Sequence, residues 1–210
     1  MRNGTKNQIE LVLIRHGETP SNELGRYIGR TEEGLSEKGR NRLLFYKEAG
    51  MYPMEGILVS SPMKRCRETA EVLYGSRRSI LIDEWREIDF GRFEGKSYHE
   101  LSGDKDYQAW LDSNGEIPFP EGESREAFML RCRKGLQLLS RLAAWDNSKP
   151  ARVIAIVHGG TIMALLSSLC SGGYYDYQCR NAEGYRCCLT IGSEDGIRLE
   201  WEEKLERKNG

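Results

Sequence analysis

Ile9-Glu10-Leu11-Val12-Leu13-Ile14-Arg15-His16-Gly17 is the stretch whose reading decides the fold. Its β-branched, aliphatic run reads as a buried strand, since successive side chains point to opposite faces and here both faces are apolar. The run stops at a cation, an imidazole and a glycine. Far along the chain the pattern recurs. Arg152-Val153-Ile154-Ala155-Ile156-Val157 is a near-continuous aliphatic strand that stops at His158-Gly159-Gly160. Strands that are apolar on both faces need helices over both, which predicts an α/β fold: a three-layer sandwich around a mostly parallel central sheet.

The intervening chain fits that plan. Ser36-Glu37-Lys38-Gly39 opens a helix that runs to about Ala49, with Ser36 as N-cap. Ile57-Leu58-Val59-Ser60-Ser61-Pro62 reads as a strand closed by proline, Lys64 to Tyr74 as a helix, and Ser79 to Ile82 as a short strand. Glu87 to Gly95 reads as a loop. Ser124 to Trp145 has the best helical periodicity, with Phe128, Cys132, Leu136, Leu139 and Ala143 on one stripe and Ser124 as N-cap. Thr161 to Cys170 reads as helix. Tyr185 to Ile191 and Ile197 to Trp201 read as paired strands around Gly192-Ser193-Glu194-Asp195-Gly196. Residues 96–122 are the least regular and are expected to cap the site with short helices and loops, within one domain spanning 1–210.

Composition narrows the function classes. The 210 residues are 30% charged and 39% hydrophobic, which argues against long disorder. Lys+Arg 31 against Asp+Glu 32 leaves a net charge of −1, without the basic excess that nucleic-acid binders carry. No apolar run approaches the ~18 residues that span a bilayer, and Met1 to Gln8 leads into no signal-peptide core. No nucleic acid, no membrane and a cytoplasmic location are the expectations. Cys66, Cys132, Cys170, Cys179, Cys187 and Cys188 form no CxxC pair, and the adjacent Cys187-Cys188 is poor zinc spacing. They read as reduced thiols filling apolar space.

Two of only three histidines, His16 and His158, stand at strand ends followed by glycine. Ligands of open α/β sheets bind outside the carboxyl ends of the strands, so both imidazoles are expected in one crevice. His99, in Ser97-Tyr98-His99-Glu100, lacks that context and reads as a surface residue. Arg15 adjoins His16, and Arg65 follows the exit of another strand. Guanidinium is a planar, multi-donor cation suited to phosphoryl oxygens. Two imidazoles and two guanidiniums point to a doubly charged tetrahedral anion. Gly159 and Gly160, ahead of a helix, offer either backbone N–H groups to an oxyanion or simply a tight turn.

Leu13-Ile14-Arg15-His16-Gly17-Glu18-Thr19 resembles the RHGE(T/S) signature of the histidine phosphatase superfamily, the phosphoglycerate-mutase-like proteins. The resemblance continues through Asn22, Gly29-Arg30-Thr31 and Leu35 to Gly39. It returns at Ser61 to Ala70, at Arg86 to Gly95 and at Val157-His158-Gly159-Gly160. It implies that His16 is a nucleophile forming a phosphohistidine, that Arg15, Arg65 and His158 line the phosphate pocket with Asn22, and that Glu87 donates a proton to the leaving alkoxide. It also implies no metal and no cofactor. The alternative for Glu87 is a surface carboxylate pairing with Arg86 or Arg92. Glu18 and Glu94 are expected to hold the loop or orient arginines.

Within the superfamily, the compact segment between Glu87 and His158 and the short charged tail Glu202 to Gly210 favour a phosphatase over a mutase. The segment Trp110…Pro118-Phe119-Pro120-Glu121-Gly122-Glu123-Ser124…Phe128…Arg131 is similar to the α-ribazole phosphatase and broad-specificity branch. The implied partner is a small-molecule phosphate monoester, α-ribazole 5'-phosphate among the options. Tyr98, Tyr107, Trp110 and Phe119 either pack as core and lid or face the leaving group. A cofactor-dependent phosphoglycerate mutase and a non-catalytic phosphate-binding module are the alternatives, and a homodimer is left open. A P-loop is excluded by the absence of GxxxxGK[ST].

Overall fold

Leu11 and Leu13 face one side of β1 (Asn7–Arg15), Val12 and Ile14 face the other, and each pair joins a different apolar cluster. The computed structural model describes residues 7–143, 151–192 and 196–206. Along the chain follow α1 (Pro20–Glu23), α2 (Glu37–Glu48), β2 (Ile57–Ser60), α3 (Lys64–Tyr74), β3 (Ile80–Leu81), α4 (Lys105–Asp112) and α5 (Arg125–Ala143). Then come β4 (Ala151–Val157), α6 (Gly159–Leu169), β5 (Gly184–Ile191) and β6 (Ile197–Leu205), with short 3-10 turns at Asp83–Trp85, Gly91–Phe93 and Tyr174–Tyr177.

The six strands form one sheet in the order β3-β2-β4-β1-β5-β6. The first four are mutually parallel, while β5 and β6 add an antiparallel edge beside β1. β4 inserts between β2 and β1, and Val153 to Val157 have no exposed surface, as a central strand covered on both faces requires. On one face, Phe128, Cys132, Leu136 and Leu139 of α5 and Ile162, Leu165 and Leu166 of α6 pack on Leu11, Leu13, Val153, Ala155 and Val157. On the other, Leu43 of α2 and Cys66, Ala70 and Leu73 of α3 pack on Val12, Ile14, Leu58, Ile154 and Ile156. This is the three-layer α/β sandwich with a mostly parallel sheet.

Local chemistry explains the boundaries. Ser36 Oγ accepts from the Gly39 N–H and Ser124 Oγ from the Ala127 N–H, so each serine caps the helix after it. α6 starts at Gly159, earlier than the periodicity of its side chains implies, because glycines carry no side chain to register in a periodic pattern. β6 runs past Trp201 to Leu205, where the successive charged residues Glu202, Glu203 and Lys204 lie on an outer strand and Leu205 pairs with Gly184. Cys66, Cys132 and Cys187 are fully buried and fill the two apolar clusters. The expected helix end near Trp145, the turn residues 193–195, the leader residues 1–6 and the tail residues 207–210 lie outside the described residues. Among the described residues no helix is long and apolar enough to cross a membrane.

Candidate active site

The β1–β4 register builds the centre of the site. Arg15 pairs with Val157, and the ladder extends one step further, where the His16 N–H donates to the Val157 carbonyl at 2.9 Å. The next residues out of the two strands therefore emerge side by side. The rings of His16 and His158 meet edge to face with centroids 5.2 Å apart. His16 Nδ1 lies 2.7 Å from the Gly17 carbonyl. A carbonyl can only accept, so Nδ1 carries the proton and Nε2 keeps its lone pair. Burial, then the Arg65 and Arg15 guanidiniums, hold His16 well below the ordinary imidazole value of 6.5, against the pull of the Gly17 carbonyl. The ring is a neutral base with one open nitrogen.

His158 is built differently. It is fully buried, Arg65 Nε–H donates to its Nδ1 at 3.3 Å, and its Nε2 lies 2.8 Å from Ser61 Oγ. Arginine has no acceptor, so Nδ1 holds the lone pair and Nε2–H donates to the hydroxyl. Burial, Arg65 and His16 keep this ring neutral as well. Both nitrogens are spent on the interior.

Arg15, His16, Asn22, Glu87 and Gly159 line one cavity of about 310 Å³. Arg65 and His158 stand behind that cavity instead of in its wall. For Arg65 the reason lies in the loop above α3. Its guanidinium donates to the carbonyls of Thr31 at 3.0 Å, Ile28 at 3.3 Å and Gly29 at 2.9 Å, which have no strand partner. Arg15 donates from Nη1 to the Cys179 carbonyl at 2.7 Å, while its Nε is buried without a partner. Such an orphan donor is costly unless a ligand completes it. Arg15 Nε would lie 3.2 Å from a Cβ on residue 159, so the glycine lets the guanidinium approach the start of α6. Among the described residues no acceptor meets the Gly159 N–H, one of the open donors of a helix N-terminus. Asn22 Oδ1 accepts from Asn181 Nδ2 at 3.1 Å and from the Thr19 N–H at 3.3 Å. That leaves its NH₂ end for a ligand.

Glu87 lines the same cavity as His16. Its oxygens accept from the Ile88 N–H at 3.0 Å and the Gly160 N–H at 3.3 Å. A Cβ at residue 160 would collide with Glu87 Oε1, so only glycine allows this approach. Burial raises its pKa above the ordinary carboxylate value, outweighing the lowering by those N–H groups and by Arg65 and Arg15. The surface-pair reading does not hold: Arg86 pairs with Asp83 at 2.7 Å and Arg92 with Asp106 at 2.9 Å. Arg131 of α5 fixes the segment that carries Glu87. It donates to the carbonyls of Glu84 at 2.7 Å, Arg86 at 2.9 Å and Glu87 at 3.4 Å, and grips Glu123 through two hydrogen bonds of 3.0 and 2.7 Å.

The supporting carboxylates hold loops. Glu94 accepts from the N–H groups of Gly29 and Thr31 and from the Thr31 hydroxyl, and Glu18 pairs with Lys38 at 3.2 Å. His99 and Tyr98 are exposed, and Tyr107 is core. Trp110 and Phe119 line the cavity. Sequence reasoning missed Arg26, Tyr27, Arg125, Tyr174 and Gln178, which complete the wall. Their local pattern gives no sign of a site, except that Tyr27 precedes the Gly29-Arg30-Thr31 block and Tyr174 follows Gly172-Gly173. Among the described residues no group of histidine, cysteine and carboxylate side chains could hold a metal ion.

A family model described as the histidine phosphatase superfamily (branch 1) matches residues 11–202. Phosphoserine phosphatase 1 of Hydrogenobacter thermophilus is 26% identical over 181 residues, covering 83% of each chain. The crystal structure of a phosphoglycerate mutase from Thermus thermophilus is 28% identical with a TM-score of 0.67, covering 95% of this chain and all of that one. The α-ribazole phosphatase of Shigella flexneri shares the fold, with a TM-score of 0.75 at 21% identity over 96% of this chain.

Proposed function

The chain belongs to the histidine phosphatase superfamily, a superfamily of phosphatases and mutases, and from that premise we propose that it hydrolyses phosphate monoesters through a phosphohistidine. One observation carries the reading: a neutral imidazole with an open Nε2 shares a cavity with an unpaired Arg15 donor and a carboxyl group whose pKa burial raises.

The steps follow from those atoms. Arg15 Nε–H, the Gly159 N–H and the Asn22 amide bind the phosphoryl oxygens, neutralising charge where it builds in the transition state. His16 Nε2 attacks phosphorus as the bond to the alcohol oxygen breaks, and the Glu87 proton passes to that oxygen. The phosphorylated ring keeps its Nδ1–H on the Gly17 carbonyl, which favours the positive charge the ring then bears. Water, deprotonated by Glu87, attacks phosphorus and releases His16 and inorganic phosphate. His158 and Arg65 are positioning residues, holding the His16 ring and the loop of residues 28–31 from behind. No step calls for a metal.

Hydrolysis, as against return of the phosphoryl group to a second hydroxyl, is favoured by the compact segment between Glu87 and His158. The likeness of residues 110–131 to the α-ribazole phosphatase branch makes α-ribazole 5'-phosphate a candidate substrate beside other small phosphate esters.

The test is phosphate release from 4-nitrophenyl phosphate. The expected result is activity untouched by chelators and abolished in His16→Ala. Chelator-sensitive activity that survives the substitution would overturn the reading. A parallel assay for interconversion of the glycerate phosphates separates hydrolase from mutase, and ligand binding without turnover identifies a non-catalytic module.

A further inference from the structure

The cavity that holds Arg15, His16 and Glu87 is also lined by Tyr27, Phe90, Trp110, Phe119, Met163 and Tyr174. Four of these rings form a continuous panel: Tyr27 and Phe90 lie 5.2 Å apart, Phe90 and Phe119 5.1 Å, and Phe119 and Trp110 5.0 Å in a stacked arrangement. Phe90 follows Glu87 in the same loop, so the panel begins beside the group assigned to protonate the leaving oxygen. Whatever alcohol leaves must lie against it.

Charge decides what that alcohol is. Apart from Arg15, the cationic side chains lining the cavity are Arg26 and Arg125. Each already has a carboxylate: Arg26 lies 3.6 Å from Glu100 and Arg125 3.7 Å from Glu116. Arg125 also donates to the Asn114 carbonyl at 3.2 Å and rests over the Tyr174 ring at 5.3 Å. A substrate carboxylate entering here would displace those partners and lose water against aromatic walls, an unfavourable exchange for a charged group. A flat apolar ring would lose nothing and would gain area burial and edge or face contacts.

Resting on the hydrolase reading above, we propose that the alcohol released by this enzyme carries a flat, uncharged ring system, and that esters of small amino or hydroxy acids are poor substrates.

The experiment compares kcat/KM for 2-phenylethyl phosphate, O-phosphoserine and 3-phosphoglycerate on the full-length protein. All three leave as alkoxides, so leaving-group basicity does not set the ranking. The ring-bearing ester should exceed the other two by about tenfold or more, a discrimination in the range apolar pockets achieve. Trp110→Leu and Phe119→Leu, each checked for an unchanged melting transition, should shrink that ratio by raising KM for the ring-bearing ester. Hydrolysis of phosphoserine equal to or faster than the ring-bearing ester, lost in His16→Ala, would overturn this inference and leave the hydrolase reading standing. A ratio unmoved by either folded wall variant would overturn it too. Failure to hydrolyse any of the three, or 4-nitrophenyl phosphate, would remove both.

Discussion

The carboxyl ends of β1 and β4 carry the same short pattern, an aliphatic run, a histidine and a glycine, yet the two histidines have opposite surroundings. At β1 the carbonyl of the adjacent residue takes one ring nitrogen of His16 and leaves the other open to the cavity. At β4 a serine of the neighbouring β2–α3 connection and an arginine in the first turn of α3 take both nitrogens of His158. Position on the sheet selects which residues can reach the ligand. The chemistry each can perform is set by what occupies its second nitrogen.

That contrast gives the largest expected effect. His16→Ala should lower turnover of 4-nitrophenyl phosphate roughly 10³-fold or more and abolish the acid-labile phosphoprotein seen on rapid quenching. His158→Ala should still form the phosphoprotein, with turnover reduced about 10²-fold by displacement of the neighbouring ring. A His158→Ala protein that melts normally yet never becomes phosphorylated would erase the distinction between the two strand ends.

Glu87 offers the next test. Glu87→Gln should lower kcat/KM, which reports phosphohistidine formation, by roughly 10²–10⁴-fold for alkyl phosphates while sparing it for 4-nitrophenyl phosphate, whose leaving group departs without a proton; breakdown of the phosphohistidine, where Glu87 is the base, should slow equally for both. Its raised pKa places the loss of the acidic proton above the ordinary carboxylate range, so alkyl-ester activity should fall on the alkaline side of that pKa. In kcat/KM the nitrophenyl ester should show no such limb.

Arg131→Ala probes the positioning of that acid from α5. Releasing three carbonyls and Glu123 should cut kcat for alkyl esters about tenfold, with a smaller effect on the nitrophenyl ester. Equal slowing of both would mean that Arg131 supports the fold and not the aim of Glu87.

The smallest effect is on stability. Both buried rings hold fewer protons when folded than when unfolded below about pH 6.5. Unfolding then takes up protons, so these groups make stability rise with pH, and it is lost as the pH falls below that value. Glu87 acts in the other sense, since its raised pKa lets the folded state keep a proton that the unfolded chain releases. In His158→Asn the drop in melting temperature between neutral pH and about pH 5.5 should be smaller than in the unaltered protein.

The two central strands and the helices after them were legible because burial on both faces leaves an unmistakable run of aliphatic residues. Ser36 and Ser124 were legible as caps for an equally local reason, the demand of orphan N–H groups for a nearby oxygen. Arg15, His16 and Glu87 were marked by ordered blocks of sequence. The wall was not. Tyr27 and Tyr174 come from separate connections and Arg125 from the first turn of α5, and they meet only because the packed layers bring those segments together. Arg65 was placed with the right neighbours but in the wrong layer, since sequence does not reveal that loop carbonyls above α3 would consume its donors.

By itself, then, the chain determined the sheet, its helical layers and the inventory of candidate site groups, because each rests on near-neighbour periodicity or on residue type at a strand end. Tertiary structure alone decided which imidazole keeps a free lone pair, which guanidinium lacks a partner and which rings line the cavity. Those outcomes depend on hydrogen-bond partners and desolvation supplied by segments far away in the chain, and such partners exist only once the layers have packed.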